Sequence, residues 1–115
     1  MISSTVGMTG LLAGLPEALP EGSYRLDLVP EGADPTRFAL GWALATYAFT
    51  RYHASARPAA SLVWPEGVDR GCVERLARAV FLARDLANTP AGDLGPEELA
   101  AEAVRVSKSA GARYR

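Results

Sequence analysis

The chain has 115 residues, of which 49% are hydrophobic and 22% are charged, and its formal net charge is -1. This composition predicts one folded domain, because it lies far from the low hydrophobicity and high charge that are typical of disorder. The near balance of charge excludes the electrostatic surface that binds nucleic acid or an anionic membrane.

Cysteine usage and the N-terminal residues predict a cytoplasmic protein. Cys72 is the single cysteine, so neither an internal disulfide nor a cysteine-cluster zinc site can form. Basic residues are absent before Arg25, which is unlike the charged start of a secretory signal. The sequence also lacks the roughly 18 to 20 consecutive apolar residues that a membrane span needs.

The first half of the chain predicts a strand, a long helix and a second strand. Residues 1–22 are rich in glycine and proline and predict a loop with at most a short apolar turn around Leu11 and Leu12. Residues 23–29 alternate, with Tyr24, Leu26 and Leu28 on the buried face of a strand.

Asp34 and Pro35 then favour the start of a helix that runs to about His53. Its apolar stripe comprises Phe38, Trp42, Ala45, Phe49 and Tyr52. At this spacing the aromatic residues are far more typical of a core than of a ligand-binding face. Residues 61–64 predict a short buried strand that ends at Pro65.

The second half predicts two helices. Asp69 caps the first, over about residues 70–87, whose predicted inner face is Val73, Leu76, Val80, Ala83 and Ala87. Residues 88–90 end that helix, and Pro96 opens another that Gly111 stops. Its apolar stripe is Leu99, Ala103, Val106 and Ala110.

The order strand-helix-strand-helix-helix predicts an α/β fold, in which helices cover a small sheet. A parallel pair joined by a helical crossover is the arrangement that this order favours. Two short strands make a poor sheet, and both ends of the chain look cut, so we expect an incomplete domain.

The stretch from Val80 to Ala100 resembles the junction between the two domains of the leucyl aminopeptidase family. In that family a helix ends in Arg-(Asp/Glu)-Leu-x-Asn-Thr-Pro-Ala, and a Pro-x-x-Leu helix then opens the catalytic domain. The matching residues are Arg84, Asp85, Leu86, Asn88, Thr89, Pro90, Ala91, Pro96 and Leu99. Upstream, Phe38 to Trp42 and Thr50 to Tyr52 are similar to the helix that precedes the junction in bacterial members, so the resemblance extends from Tyr24 to Arg113.

The resemblance implies a domain division and a function. Residues 1–90 would be part of the non-catalytic N-terminal domain, and residues 91–115 would be the junction and the first helix toward the catalytic domain. The parent protein, meaning the longer protein that contains this region, would remove N-terminal residues from peptides. It would use two divalent metal ions, zinc or manganese. Its catalytic domain would be the partner of this chain, and the parent would form a homo-oligomer.

Two departures from the family pattern bear on function. Gly92 stands where many relatives have asparagine, which affects only the local turn. The Asn-Thr-Asp-Ala-Glu-Gly-Arg motif, which carries metal ligands in the family, does not occur here, and Asn88-Thr89-Pro90 is not a version of it. We therefore expect no catalytic, cofactor-binding or metal-binding residues in this chain.

The residues that could carry chemistry have simpler explanations. Asp85, Asp93, Glu97, Glu98 and Glu102 are close in sequence and could be considered as metal ligands. Helix ends and exposed faces explain them without a metal, because negative charge is favoured at the start of a helix, where Asp93, Glu97 and Glu98 lie. His53 has no readable catalytic partner, and no histidine adjoins Cys72 in sequence. The alternatives that stay open are a free-standing α/β interaction or small-ligand-binding module and, less favoured, a small enzyme that uses His53 or Cys72.

Overall fold

The computed structural model describes residues 14–29, 31–52 and 60–115. Along the chain these residues form α1 (Leu15–Ala18), β1 (Ser23–Tyr24), α2 (Pro35–Ala45), β2 (Ser61–Leu62), α3 (Arg70–Asn88) and α4 (Pro96–Ser109). The predicted α/β class and its strand-helix-strand-helix-helix order are confirmed, with the short helix α1 in front of them. The sequence does not predict α1, because the glycine and proline residues around it favour a loop. Pro16 within this helix is buried. The predicted turn around Leu11 and Leu12 lies outside the described residues.

The sheet is a parallel pair, as the order of elements predicts. Ser23 lies opposite Ser61 and Tyr24 lies opposite Leu62. The amide of Val63 donates to the carbonyl of Tyr24 at 2.8 Å, and Pro65 soon follows without an N–H to offer. Pairing therefore stops early, and the prediction of a strand over residues 23–29 is wrong beyond Tyr24. Leu28, predicted to be buried, is 81% exposed.

The prediction of a buried strand over residues 61–64 is also wrong in part. Only Ser61 and Leu62 are in the strand, Ser61 is exposed, and Val63 is 43% exposed. The buried residue is Ala60, which directly precedes β2. A two-stranded sheet of this length covers too little surface to bury both faces.

Helix α2 begins where the sequence predicts and ends earlier. The Asp34 carboxylate accepts a hydrogen bond from the amide of Thr36 at 2.9 Å, which confirms the cap. At the other end the Thr46 hydroxyl donates to the carbonyl of Ala43 at 2.7 Å. Threonine and the aromatic residues after it have low helix propensity, so the helix stops at Ala45 instead of about His53. Phe49 and Tyr52 consequently lie beyond the helix, where their rings meet edge to face.

The buried core belongs to the part of the chain that ends at Leu82, the first of two compact units. Its buried apolar residues are Phe38, Ala39, Trp42, Ala60, Val73 and Ala77. In α3 the inward positions are Val73 and Ala77, whereas Leu76 is 46% exposed and Ala83 and Ala87 are exposed. The predicted inner face is therefore confirmed at Val73, and Val80 is half-buried, but the prediction is wrong at the other three positions. Phe81 lies on the packed face of α3, because the centroid of its ring is 5.3 Å from the centroid of the Tyr47 ring.

The second compact unit runs from Ala83 to Arg115 and contains the end of α3 and all of α4. Helix α4 matches its predicted start at Pro96 and its predicted stop at Gly111, whose φ is 65°. The amide of Ala112 donates back to the carbonyl of Ser107 at 2.8 Å, a helix-closing bond that a glycine at this φ permits. None of the described helices is long and apolar enough to cross a membrane.

Candidate functional site at the junction segment

The segment from Arg84 to Leu99, here called the junction segment, carries the motif residues and joins α3 to α4. Thr89 ends α3, and its hydroxyl donates to the carbonyl of Asp85 at 2.7 Å. Thr89 is also 9% exposed, which makes it the buried polar residue of the described chain. A buried hydroxyl needs such a partner, and this bond supplies an acceptor in the last turn of the helix. Pro90 then prevents the helix from continuing.

The loop after Pro90 is a tight turn. The amides of Asp93 and Leu94 both donate to the carbonyl of Pro90, at 2.9 and 3.1 Å. One carbonyl thereby accepts two hydrogen bonds that close the turn within a few residues. The turn needs these backbone groups and not the side chain of residue 92, so glycine is compatible there.

Helix α4 begins with a one-sided cap, in which only the side chain of Glu98 takes part. The amide of Gly95 donates to Glu98 Oε2 at 2.9 Å, and the amide of Leu99 donates to the carbonyl of Gly95 at 3.0 Å. Pro96 occupies the first helical position, where its missing N–H costs nothing. The motif residues of the junction segment therefore determine where one helix ends and the next begins. Their role is to set the geometry of the backbone.

Two acidic side chains of α4, Glu98 and Glu102, have structural roles in the described chain. Glu98 caps α4, and Glu102 forms an ion pair with Arg105 at 2.7 Å. The hydrogen bond from Arg105 holds the pKa of the Glu102 carboxyl below its ordinary value, and Glu102 in turn raises the pKa of Arg105. Asp85, Asp93 and Glu97 are exposed.

Across residues 14–29, 31–52 and 60–115, no three His, Cys, Asp or Glu side chains come together as a metal ion would need. The described residues therefore do not fit a two-metal centre, which requires several converging carboxylates. The expectation that the chain holds no catalytic, cofactor or metal residues stays a prediction.

Cys72 and His53 are the remaining candidates. Cys72 is half-buried in the first turn of α3, and its amide donates to the Asp69 carboxylate at 2.9 Å. That bond caps the helix and confirms Asp69 in its predicted role. His53 lies outside the described residues.

Sequence reasoning missed one pair near the start of α3. The Arg70 guanidinium lies over the ring of Trp64, 5.4 Å from its centroid. An arginine six positions after a tryptophan gives no helical or strand spacing from which this contact could be predicted. The pair is a cation-π contact at a half-exposed tryptophan, and it stabilises the loop that joins β2 to α3.

Comparison with known proteins gives two similarities. The sequence pattern of the M17 aminopeptidase N-terminal domain matches residues 5–65. The crystal structure of a cytosol aminopeptidase from Coxiella burnetii at 1.8 Å resolution superimposes with a TM-score of 0.76 and 34% sequence identity. That likeness covers 85% of this chain and 22% of the Coxiella chain, so this chain spans about a fifth of the length of its structural relative. No curated protein sequence matches.

Proposed function

This chain belongs to the M17 aminopeptidase family, in the N-terminal domain of its members, and on that premise we propose that it is the non-catalytic N-terminal region of a metal-dependent leucyl aminopeptidase. The observation that carries the proposal is the structural likeness to the Coxiella burnetii protein, which extends over 85% of this chain and only 22% of that one. The role of the region is to fold as an accessory unit and to lead the chain into the catalytic region.

The division of labour follows the junction segment. Residues 1–90 form part of the accessory domain, and residues 91–115 form the junction and the first helix of the catalytic side. The bonds of Thr89 and Glu98 support this proposal, because they fix the end of α3 and the start of α4. Thr89 belongs to the family motif, and Glu98 lies between its Pro96 and Leu99.

The chemistry resides in the parent protein. Two divalent ions, zinc or manganese, would activate a water molecule and polarise the scissile carbonyl there. Since the described residues of this chain do not fit such a centre, we assign none of them to a step of the reaction. The catalytic region of the parent is the proposed partner, in a cytoplasmic homo-oligomer. The balanced charge of the chain, -1 overall, gives no reason to propose nucleic acid or a membrane as partner.

A chimera tests the proposal. In one arm the corresponding N-terminal region of the Coxiella burnetii aminopeptidase is replaced by this chain, and aminopeptidase activity is measured with a leucyl substrate and added manganese or zinc. In the other arm the isolated chain is assayed alone. We expect activity from the chimera and none from the isolated chain. A matched chimera that carries Trp42→Ala should lose soluble, active protein, because Trp42 is buried in the core.

Two results would contradict the proposal. Hydrolysis by the isolated chain that survives repeated purification would show that it is itself an enzyme. A chimera that folds and assembles yet shows no activity, when the same exchange with another family member is active, would show that this region does not serve as the accessory domain.

A further inference from the structure

The first turn of α2 and the start of α3 lie against each other. Thr36 and Asp69 are 33 positions apart in sequence, and the amide of Asp69 donates a hydrogen bond to the Thr36 hydroxyl at 3.2 Å. The loop before α3 approaches the same turn, because a Cβ placed on Gly67 would lie 3.9 Å from the Cγ of Pro35. Two contacts therefore join the starts of two helices that are distant in sequence.

Thr36 takes part in the caps of both helices. Its amide donates to the Asp34 carboxylate at 2.9 Å, and its hydroxyl accepts from the amide of Asp69. The Asp69 carboxylate in turn accepts from the amide of Cys72 at 2.9 Å. One chain of hydrogen bonds thus runs from the cap of α2 through Thr36 to the cap of α3.

Helix α4 shows what α3 lacks within its own first turn. In α4 the amide of Gly95, just before the helix, donates to Glu98 three residues later. The corresponding position of α3, three residues after Asp69, is Cys72, whose thiol is only a weak acceptor. The amide of Asp69 obtains its acceptor from Thr36 instead, so α3 depends on α2 for a bond that α4 makes locally.

We propose that Thr36 couples the two helices, so that the first turn of α2 and the first turn of α3 open and close together. Fraying of α2 withdraws Thr36 and leaves the amide of Asp69 without its acceptor. The carbonyl of Asp69 accepts the bond of the next turn, from the amide of Val73 at 3.1 Å, and Val73 is 1% exposed. The coupling therefore extends from an exposed cap to the core. It does not depend on the proposed aminopeptidase function.

Amide hydrogen exchange of the 115-residue chain, followed by NMR, tests the coupling. Thr36→Val removes the hydroxyl and should speed exchange of the Cys72 and Val73 amides about two- to tenfold, which corresponds to the loss of one hydrogen bond. Thr36→Ser retains the hydroxyl and should stay near wild type. Thr46→Val is the matched control, because the Thr46 hydroxyl bonds only within α2, to the carbonyl of Ala43 at 2.7 Å. It should leave both amides unchanged.

Two amides in the middle of α3, those of Ala77 and Phe81, distinguish local opening from unfolding of the whole helix. Their exchange should not respond to Thr36→Val as strongly as that of Cys72 and Val73 does, since the proposed opening is confined to the first turn.

A double-mutant cycle tests whether the coupling passes through Thr36. Asp34→Ala removes the cap of α2 and should speed exchange of the Val73 amide at least about twofold in the wild-type background. In the Thr36→Val background the same change should have no further effect on Val73. Coupling is reciprocal, so Asp69→Ala should speed exchange of the Phe38 amide, which donates to the carbonyl of Asp34 at 3.2 Å.

A rescue completes the design. Cys72→Glu gives α3 the acceptor that α4 has in Glu98. In that background Thr36→Val should change exchange of the Val73 amide less than about twofold, because the amide of Asp69 has a local partner.

Four outcomes would overturn the proposal. The first is exchange at Cys72 and Val73 that is the same in Thr36→Val and wild type. The second is an equal increase at Ala77 and Phe81, and the third is an equal effect of Thr46→Val. The fourth is an undiminished effect of Thr36→Val in the Cys72→Glu background, which would show that Thr36 acts by some route other than the amide of Asp69.

Discussion

The indole N–H of Trp42 donates a hydrogen bond to the carbonyl of Ala60 at 3.3 Å, and both residues are buried. This bond ties the middle of α2 to the residue that immediately precedes β2. The centroid of the Trp42 ring also lies 6.3 Å from the centroid of the Tyr24 ring in β1. One side chain therefore links the helix to both strands of a sheet that is too short to be stable by itself.

Two substitutions separate the packing of Trp42 from its hydrogen bond. Trp42→Ala should lower the free energy of unfolding by about 3 to 5 kcal/mol, because it empties a large volume in the core. Trp42→Phe keeps most of the apolar volume and leaves the buried Ala60 carbonyl without its indole donor, which should cost about 1 to 3 kcal/mol. Urea titration followed by circular dichroism measures both. The control is Trp64→Phe, at a half-exposed position, and an equal loss there would contradict the special role of Trp42.

The cap of α3 gives a second prediction. The Asp69 carboxylate accepts from the amide of Cys72, so Asp69→Ala should cost about 1 kcal/mol. Asp69→Asn retains an acceptor and should recover most of that loss. The Asp69 amide, which donates to the Thr36 hydroxyl at 3.2 Å, is present in every variant. If Glu66→Ala, at an exposed position nearby, destabilises the chain as much as Asp69→Ala, the cap is not the cause.

The starts of α2, α3 and α4 could be predicted from the sequence because they depend on local chemistry, whereas α1 was not predicted. Asp34, Asp69 and Pro96 each act within one turn of chain, and all three helices begin where those residues indicate. The stop of α4 at Gly111 is local in the same sense, since it depends on a backbone conformation that glycine favours.

The extent of the strands could not be predicted, because it depends on hydrogen bonds with a distant part of the chain. The end of α2 could not be predicted from periodicity, because the apolar stripe continues past the residues of low helix propensity that end the helix. The apolar stripe through Phe49 and Tyr52 continues the helical period, yet the helix stops at Ala45. β1 ends at Tyr24 because β2 offers no partner for the residues that follow. Alternation of apolar and polar residues continues to Leu28, which is nevertheless exposed and outside the strand. Periodicity identifies an apolar face without showing what covers it.

The junction motif is identified by its residues, and the physical reason for them emerges only with the structure. The sequence indicates that Asn88-Thr89-Pro90 ends a helix. The threonine hydroxyl is in addition a buried group with a specific acceptor, the carbonyl of Asp85. Sequence alone gives no signal for this, because threonine is common at exposed helix ends as well.

Thr89 supplies a third prediction. Thr89→Val preserves shape and removes the hydroxyl, so the free energy of unfolding should fall by about 1 kcal/mol. Thr89→Ser restores the donor and should recover part of the loss, limited by the missing methyl group. Urea titration measures the stabilities, and amide hydrogen exchange in the last turn of α3 localises the effect. If valine is tolerated as well as threonine, the bond to Asp85 does not hold the end of the helix.

The last prediction concerns the pH dependence of α4. The hydrogen bond from Arg105 lowers the pKa of Glu102 in the folded helix, so folding favours the charged carboxylate. A carboxyl group of this kind stabilises the folded state above its unfolded pKa, and that contribution disappears as the pH falls through the lower folded value. The helix content of α4 should therefore decline on the acid side of the ordinary glutamate range, and only slightly, because the pair is exposed. Carbon-detected NMR titration of the Glu102 carboxyl measures the shift directly. Arg105→Gln removes the charged donor and should return the pKa of Glu102 toward its ordinary value. A Glu102 carboxyl that titrates at the same pH with and without Arg105 would show that the ion pair does not persist in solution.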